Sequence, residues 1–170
     1  AAQIALAVYK AELLDASLPQ VNQLELLSEV SRQIADSLDE KEILGRTIEA
    51  LINKLGYAEA AISFLVNDDI LEVVAISGTE EFGYSPGYQQ KMGEGIIGHV
   101  AKTRKHHVSG DVSRDPYYYS TAKRNGSALG VPMLDKDKLL GVIYVETTIQ
   151  HYFQLDEIQT IQTLANQIAT

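Results

Sequence analysis

Apolar residues recur at two different periods along this chain, and the switches between them lay out the elements. Ile4, Val8, Ala11 and Leu14 repeat every three or four residues, so 3–16 reads as a helix. Pro19 interrupts it, because Pro lacks an N–H and clashes with the preceding turn. Pro is tolerated in a first turn, so a second helix restarts near Leu18 and runs to about Leu38. Within it Leu24, Leu27, Ser31, Ile34 and Leu38 form a heptad-like row, and Leu26, Val30 and Ala35 add a second apolar edge. Two edges predict two surfaces, one for the chain's own domain and one for a partner chain. The alternative is one broad stripe laid on the domain's own sheet. Asp39 then reads as an N-cap, with Glu42 placed to complete a capping box. Ile43, Leu44, Ile48, Leu51, Ile52 and Leu55 form the buried face of the next helix, and Gly56 sits where a left-handed C-cap belongs.

The period then shortens to two. Residues 60–66 and 70–77 read as strands joined by Asn67-Asp68-Asp69, a hairpin. Ile62, Phe64 and Val66 share one face and Ala61, Ser63 and Leu65 the other. Both faces are mostly apolar, which predicts a sheet covered on both sides. A short strand is expected at 106–109. A second hairpin spans 127–134 and 138–146 around Asp135-Lys136-Asp137. Leu129, Val131 and Met133 are expected to share a side with Val142 and Tyr144, leaving Ile143 and Val145 on the other. Pro132 cannot donate to a ladder and marks a bulge or an unpaired position. A last helix runs from about 155 to 169, with Asp156 and Glu157 at its positive end. Its Ile158, Ile161, Ala165 and Ile168 repeat the spacing of the early helix.

Between the hairpins lies Gly93-Glu94-Gly95-Ile96-Ile97-Gly98-His99-Val100-Ala101, a glycine-rich turn that opens a short helix. Gly93-x-Gly95-x-x-Gly98 spells the dinucleotide fingerprint, and Asp111 lies about 20 residues on, where a ribose-binding acid belongs. The context is wrong for that chemistry. Residues 88–92 are polar rather than a buried strand, and 106–108 is too short for a second parallel strand. The segments 78–92 and 110–125 are irregular, and such stretches are uncommon in compact domains unless they carry function. They hold five of the nine tyrosines, whose apolar rings and polar tips suit either a pocket wall or the packing of long loops.

Composition narrows the chemistry. A net charge of −9 disfavours nucleic acid and anionic membrane as partners. With no cysteine there is no disulfide, thiolate metal site or cysteine nucleophile. No apolar run approaches the roughly 20 residues that span a bilayer, and the cytoplasm is the expected location. The opening Ala1-Ala2-Gln3, without Met, is expected of a segment of a larger protein. The four histidines show no metal spacing: His106 and His107 point to opposite faces of a strand, and His99 and His151 lie apart. Ser109 and Ser127 lack a nucleophile-elbow setting, and Asp111 and Asp115 are read as solvated or capping carboxylates, with Asp111 also placed to accept from a ligand donor or to hold the loop closed. No catalytic residue, metal ligand or cofactor is assigned.

Five pieces in order carry a family resemblance. They are Leu26-Leu27-Ser28-Glu29-Val30-Ser31, the stretch Gly93 to Ala101, Ser127-Ala128-Leu129-Gly130-Val131-Pro132-Met133, Leu140-Gly141-Val142-Ile143-Tyr144-Val145, and Phe153-Gln154-Leu155-Asp156-Glu157. Together they resemble a GAF domain, the sensory and dimerisation module of bacterial signalling proteins. The resemblance covers 22–170 and leaves 1–21 as a connecting signalling helix. It implies an α+β fold: a central antiparallel sheet, helices on one face, and loops and short helices covering a pocket on the other. On that topology the pocket wall is expected to include Phe64, Ile76, Ile97, Val108, Asp111, Tyr117, Tyr118, Met133 and Tyr144.

The implied function is a regulatory module of a signal-transduction protein, such as a two-component system. A small molecule in the pocket would bias the terminal helices, a homodimer would form through them, and an output domain (kinase, cyclase or transcription activator) would follow. Relatives that bind cyclic nucleotides carry an Asn-Lys pair before a Phe and an Asp-Glu; here Phe153, Asp156 and Glu157 stand without that pair. Relatives that attach bilins or reduce methionine sulfoxide need Cys, which is absent. Two other readings stay open: a ligand-free dimerisation spacer, and a haem-binding gas sensor with a single axial His.

Overall fold

The computed structural model describes residues 19–34, 39–78, 85–119 and 124–170. The predicted helix over 3–16, the positions Ala35 and Leu38, and Tyr84 lie outside the described residues. The leading helix, α1, is helical over 19–34. It is followed by α2 (Glu40–Leu55), β1 (Glu59–Leu65), β2 (Ile70–Gly78), β3 (Gln89–Lys91), α3 (Gly95–Thr103), β4 (His107–Ser109), a 3-10 turn (Val112–Arg114), β5 (Ser127–Asp135), β6 (Lys138–Thr147) and α4 (Leu155–Ile168).

The six strands form one antiparallel sheet in the order β3-β2-β1-β6-β5-β4. The two hairpins therefore lie side by side, with β1 against β6 in the middle. Leu26 and Val30 of α1, Leu44, Ile48 and Leu51 of α2, and Ile161, Leu164 and Ala165 of α4 bury one face. They meet Ala60, Ile62, Leu129, Val131, Met133, Ile143 and Val145 there. Asp39 caps α2 as expected, its Oδ1 accepting from the N–H groups of Lys41 and Glu42. Gly56 ends the helix at φ 70°. In α1 the edge that meets the sheet is Leu26–Val30, while Leu24 is 68% exposed. Leu27 and Ile34 pack only partly against the core.

The other face carries α3, whose Ile96, Ile97, Val100 and Ala101 cluster with Ala61, Leu71, Ala128, Leu139, Val142 and Tyr144. Gly130 makes that docking possible. A Cβ there would lie 2.8 Å from Val100 Cγ2 and 3.2 Å from Ile96 Cγ2. Gly98 answers for the glycine stretch in the same way, since a Cβ on it would lie 2.5 Å from the Lys91 carbonyl oxygen. The glycines let α3 close onto the end of an antiparallel edge strand, so the parallel-strand context of a dinucleotide site is not what they serve.

One expectation about sidedness is overturned. Leu129 pairs with Val145 and Val131 with Ile143, so Leu129, Val131 and Met133 share a face with Ile143 and Val145, not with Val142 and Tyr144. The register shifts between Met133 and Leu134: Leu134 opposes Leu139, but Met133 opposes Gly141. That one extra residue on β6 inverts the parity counted back from the turn. It falls next to Pro132, where the missing donor had marked a bulge or an unpaired position.

Candidate functional site

The face under α3 is apolar at its centre and charged at one end. Glu59 opens β1 and Glu146 lies near the end of β6, and the register sets them directly opposite each other. Counting by two along each strand puts Glu59 with Ala61, and Glu146 with Tyr144 and Val142, on the α3 side. Like charges facing each other across a ladder destabilise it. Here Arg124 answers both: Nη1 is 2.5 Å from Glu59 Oε1 and 3.7 Å from Glu146 Oε1. Two phenols complete the group. Tyr144 donates to Glu146 Oε2 at 2.7 Å, and the Tyr118 hydroxyl lies 3.0 and 3.1 Å from the two carboxylate oxygens of Glu146.

These groups are withdrawn from water. The Glu59, Glu146 and Arg124 side chains are 1%, 6% and 14% exposed. Burial, reinforced by the Glu146 carboxylate, pushes both Tyr118 and Tyr144 well above the usual phenol range, so both stay protonated donors. Burial opposes the charge on Arg124, but the Glu59 carboxylate outweighs it and raises the guanidinium further. The arrangement presents carboxylate, guanidinium and phenol groups together at the end of an apolar floor. It can bind and orient a polar molecule; nothing in it is arranged as a nucleophile with its base.

The nine wall residues expected from the sequence divide. Ile76, Ile97, Tyr117, Tyr118 and Tyr144 belong to the cluster under α3. Phe64, Val108 and Met133 are corrected to the opposite face, where they pack with the helices. Met133 moves because of the parity change, Val108 because it opposes Leu129, and Phe64 because it shares the side of Ile62. Asp111 is a cap: its Oδ1 accepts from the Ser113 N–H at 3.0 Å and the Ser113 hydroxyl at 2.6 Å. Those bonds hold its carboxyl below the usual range.

Sequence reasoning missed Glu59, Arg124 and Glu146 as a site. Glu146 did carry a signal, standing two residues after Tyr144 and so on the same face. Arg124 carried none, because its segment has no period to read. The histidines were also underestimated. His107 Nε2 lies 2.7 Å from Asp115 Oδ2. The His99 ring stacks on Tyr117 at 3.7 Å, and His107 stands edge-on to both. No group of three or more His, Cys, Asp or Glu among the described residues could hold a metal ion.

A concavity of about 310 Å³ opens beside the helices, between Pro19, Asn22 and Gln23 of α1 and Tyr57 and Tyr152. Its one cationic neighbour, Lys54, is already ion-paired with Glu29 at 2.5 Å. It offers no buried charged group comparable to those under α3.

The family model described as the GAF domain matches residues 37–170, most of the chain, and the chain belongs to that family. It is 25% identical over 134 residues to the Nif-specific regulatory protein of Azospirillum lipoferum. That match takes in 74% of this chain but 21% of the relative, so the chain spans about a fifth of that relative's length. Among solved structures, the GAF domain of a phosphoenolpyruvate-protein phosphotransferase from Coxiella burnetii superposes with a TM-score of 0.75 at 21% identity. It covers 88% of this chain and 91% of that one. The free methionine-R-sulfoxide reductase of Neisseria meningitidis, in complex with its substrate, superposes at 0.76 with 19% identity, covering 86% of each chain. The same fold therefore serves regulators and at least one enzyme, and the fold alone does not choose between them.

Proposed function

We propose that residues 22–170 form a regulatory, non-catalytic module that senses a small molecule for a signal-transduction protein. The ligand is held between the sheet and the segments that cover its α3 face, and the terminal helices, with 1–21 as connector, carry the state to an output domain. The observation that carries this reading is the buried Glu59–Arg124–Glu146 group with Tyr118 and Tyr144. Burying charges costs several kcal/mol per ion, and well-packed apolar residues of similar volume are often as stabilising. Stability alone therefore gives poor reason for three charges at the end of an apolar floor. A few polar groups converging on an apolar wall are what a small-molecule site uses to orient its ligand.

Two further supports come from elsewhere. The relative from Azospirillum lipoferum is by name a regulatory protein and is much longer than this chain, which fits an output domain outside it. Val21 and Leu24 of α1 and Leu155 at the start of α4 are exposed apolar residues, which suits pairing of two copies through the terminal helices. No described helix is long and apolar enough to cross a membrane, and the charge of −9 suits a cytoplasmic module that does not bind nucleic acid.

A thermal-shift panel of amino acids, 2-oxo acids, nucleotides and haem tests the reading. A true ligand at 100 times its dissociation constant adds about 2.7 kcal/mol of stability. Glu146→Gln, which still accepts from the Tyr118 and Tyr144 hydroxyls, should weaken that response without unfolding the domain. Silence across the panel, with Tyr117 and Tyr118 filling the floor, would instead make this a spacer that only dimerises.

A further inference from the structure

We propose that His99, His107, Asp115 and Tyr117 form a proton-operated latch that fastens the segment after β4 onto α3. The four residues come from three separate pieces of chain: His99 from α3, His107 from β4, and Asp115 and Tyr117 from the turn that follows. Asp115 is doubly committed. It accepts from the backbone N–H of Tyr117 at 2.8 Å and lies 2.7 Å from His107 Nε2. Tyr117 is thereby held flat against the His99 ring, with 21° between the planes. The contact crosses from the covering segment to α3, which itself sits on the sheet through Ile96 and Val100.

The charge count limits the latch to one proton. Asp115 is one carboxylate lying near two imidazoles, and it can balance only one added charge. A second proton placed on His99 would set two cations 5.1 Å apart, ring centre to ring centre. The groups acting on His99 are His107 from β4, Asp115 and Tyr117 from the covering turn, and Lys102 from α3 itself; β5 places Gly130, without a side chain, opposite His107. Among the charged groups only Asp115 favours the charge. Burial first, then His107, hold the His99 imidazole below its usual range, against the pull of Asp115. Acidification then puts on His99 a proton that its burial and His107 disfavour in the closed arrangement, which shifts the balance toward a state with His99 in water and frees the segment that bears Tyr117 and Tyr118. Because Tyr118 also reaches Glu146, an open latch loosens one wall of the site. That consequence rests on the ligand-pocket reading; the latch itself does not.

The test is a pH titration of the ligand-free protein by NMR, following the ring protons of all four histidines and amide exchange across 110–119. A His99 step below the ordinary histidine range is expected. That step should coincide with a shift of the Tyr117 ring signals and with faster exchange of the Tyr117 and Tyr118 amides. The expected gain in opening is about tenfold for each pH unit by which the His99 value is depressed. His99→Phe keeps the stack and should abolish the His99 step and the opening. Asp115→Asn removes the carboxylate that holds the Tyr117 N–H and should open the segment at higher pH. The proposal fails if His99 titrates in its ordinary range with no change at Tyr117, or if His99→Phe opens as the wild type does. These readouts need no ligand, so a silent ligand panel beside a working latch would sink the pocket and leave the latch standing.

Discussion

The two faces of the sheet are made from the same strands and do different work. The helix face is apolar across its centre: Ile62, Leu129, Val131, Ile143 and Val145 are fully buried under α1, α2 and α4. The α3 face shares the apolar centre but ends in two carboxylates and a guanidinium, and its cover is pinned by histidine, tyrosine and aspartate side chains. Close-packed apolar contacts are insensitive to pH and to small solutes. Ion pairs and stacked imidazoles are not. One layer of backbone thus separates an apolar frame from a face that carries charged and titratable groups, which is the face the proposed sensing function would use.

The largest effect is expected of Arg124→Ala. It leaves Glu59 and Glu146 opposed and buried with their common cation gone. A loss of about 3–5 kcal/mol is expected, as when one member of a buried pair is removed. Replacing Glu59 and Arg124 together, by Gln and Met, should recover most of it, measured by urea unfolding of both variants. On the frame side, Leu164→Ala removes a fully buried side chain of α4 and should cost about 2–5 kcal/mol. Its cost should be the same at pH 5.5 and 7.5, whereas the Arg124 group and its cover should respond to ligand and to acid.

The smallest expected effect is the pH dependence itself. The folded His99 value lies below the 6.5 of the unfolded chain, so in the window between them the unfolded state binds more protons. Stability is therefore complete above about pH 6.5 and declines as pH falls toward the folded value. Asp115 acts at lower pH. Burial opposes its ionisation, but the hydrogen bonds from His107 and the Tyr117 N–H prevail and hold its carboxyl below 3.8. Its contribution is present above that value and lost below it. Urea midpoints at pH 7.5 and 5.5 should show the first decline, and His99→Gln should flatten it.

Much of the frame was legible from periodicity, and the site was legible only in part. The helices, both hairpins and the short helix after the glycines follow from spacings of three, four and two, and from caps such as Asp39 and Gly56, which act within one turn of chain. Ile76, Ile97, Tyr117, Tyr118 and Tyr144 do lie on the α3 face, where side-chain character and the family topology agree. Met133 was placed on the wrong face because a single extra residue on β6 inverts every position before it, and alternation cannot report where a bulge falls.

The charged end of the α3 face was out of reach for a different reason. Glu59 and Glu146 stand 87 positions apart, and only the pairing of β1 with β6 sets them opposite. Arg124 and the His99–His107–Asp115–Tyr117 group are likewise products of where chain segments meet. Local order is set by contacts a few residues apart, which sequence displays. Chemistry here depends on charges brought together from distant strands, and it exists only once the chain has closed around them.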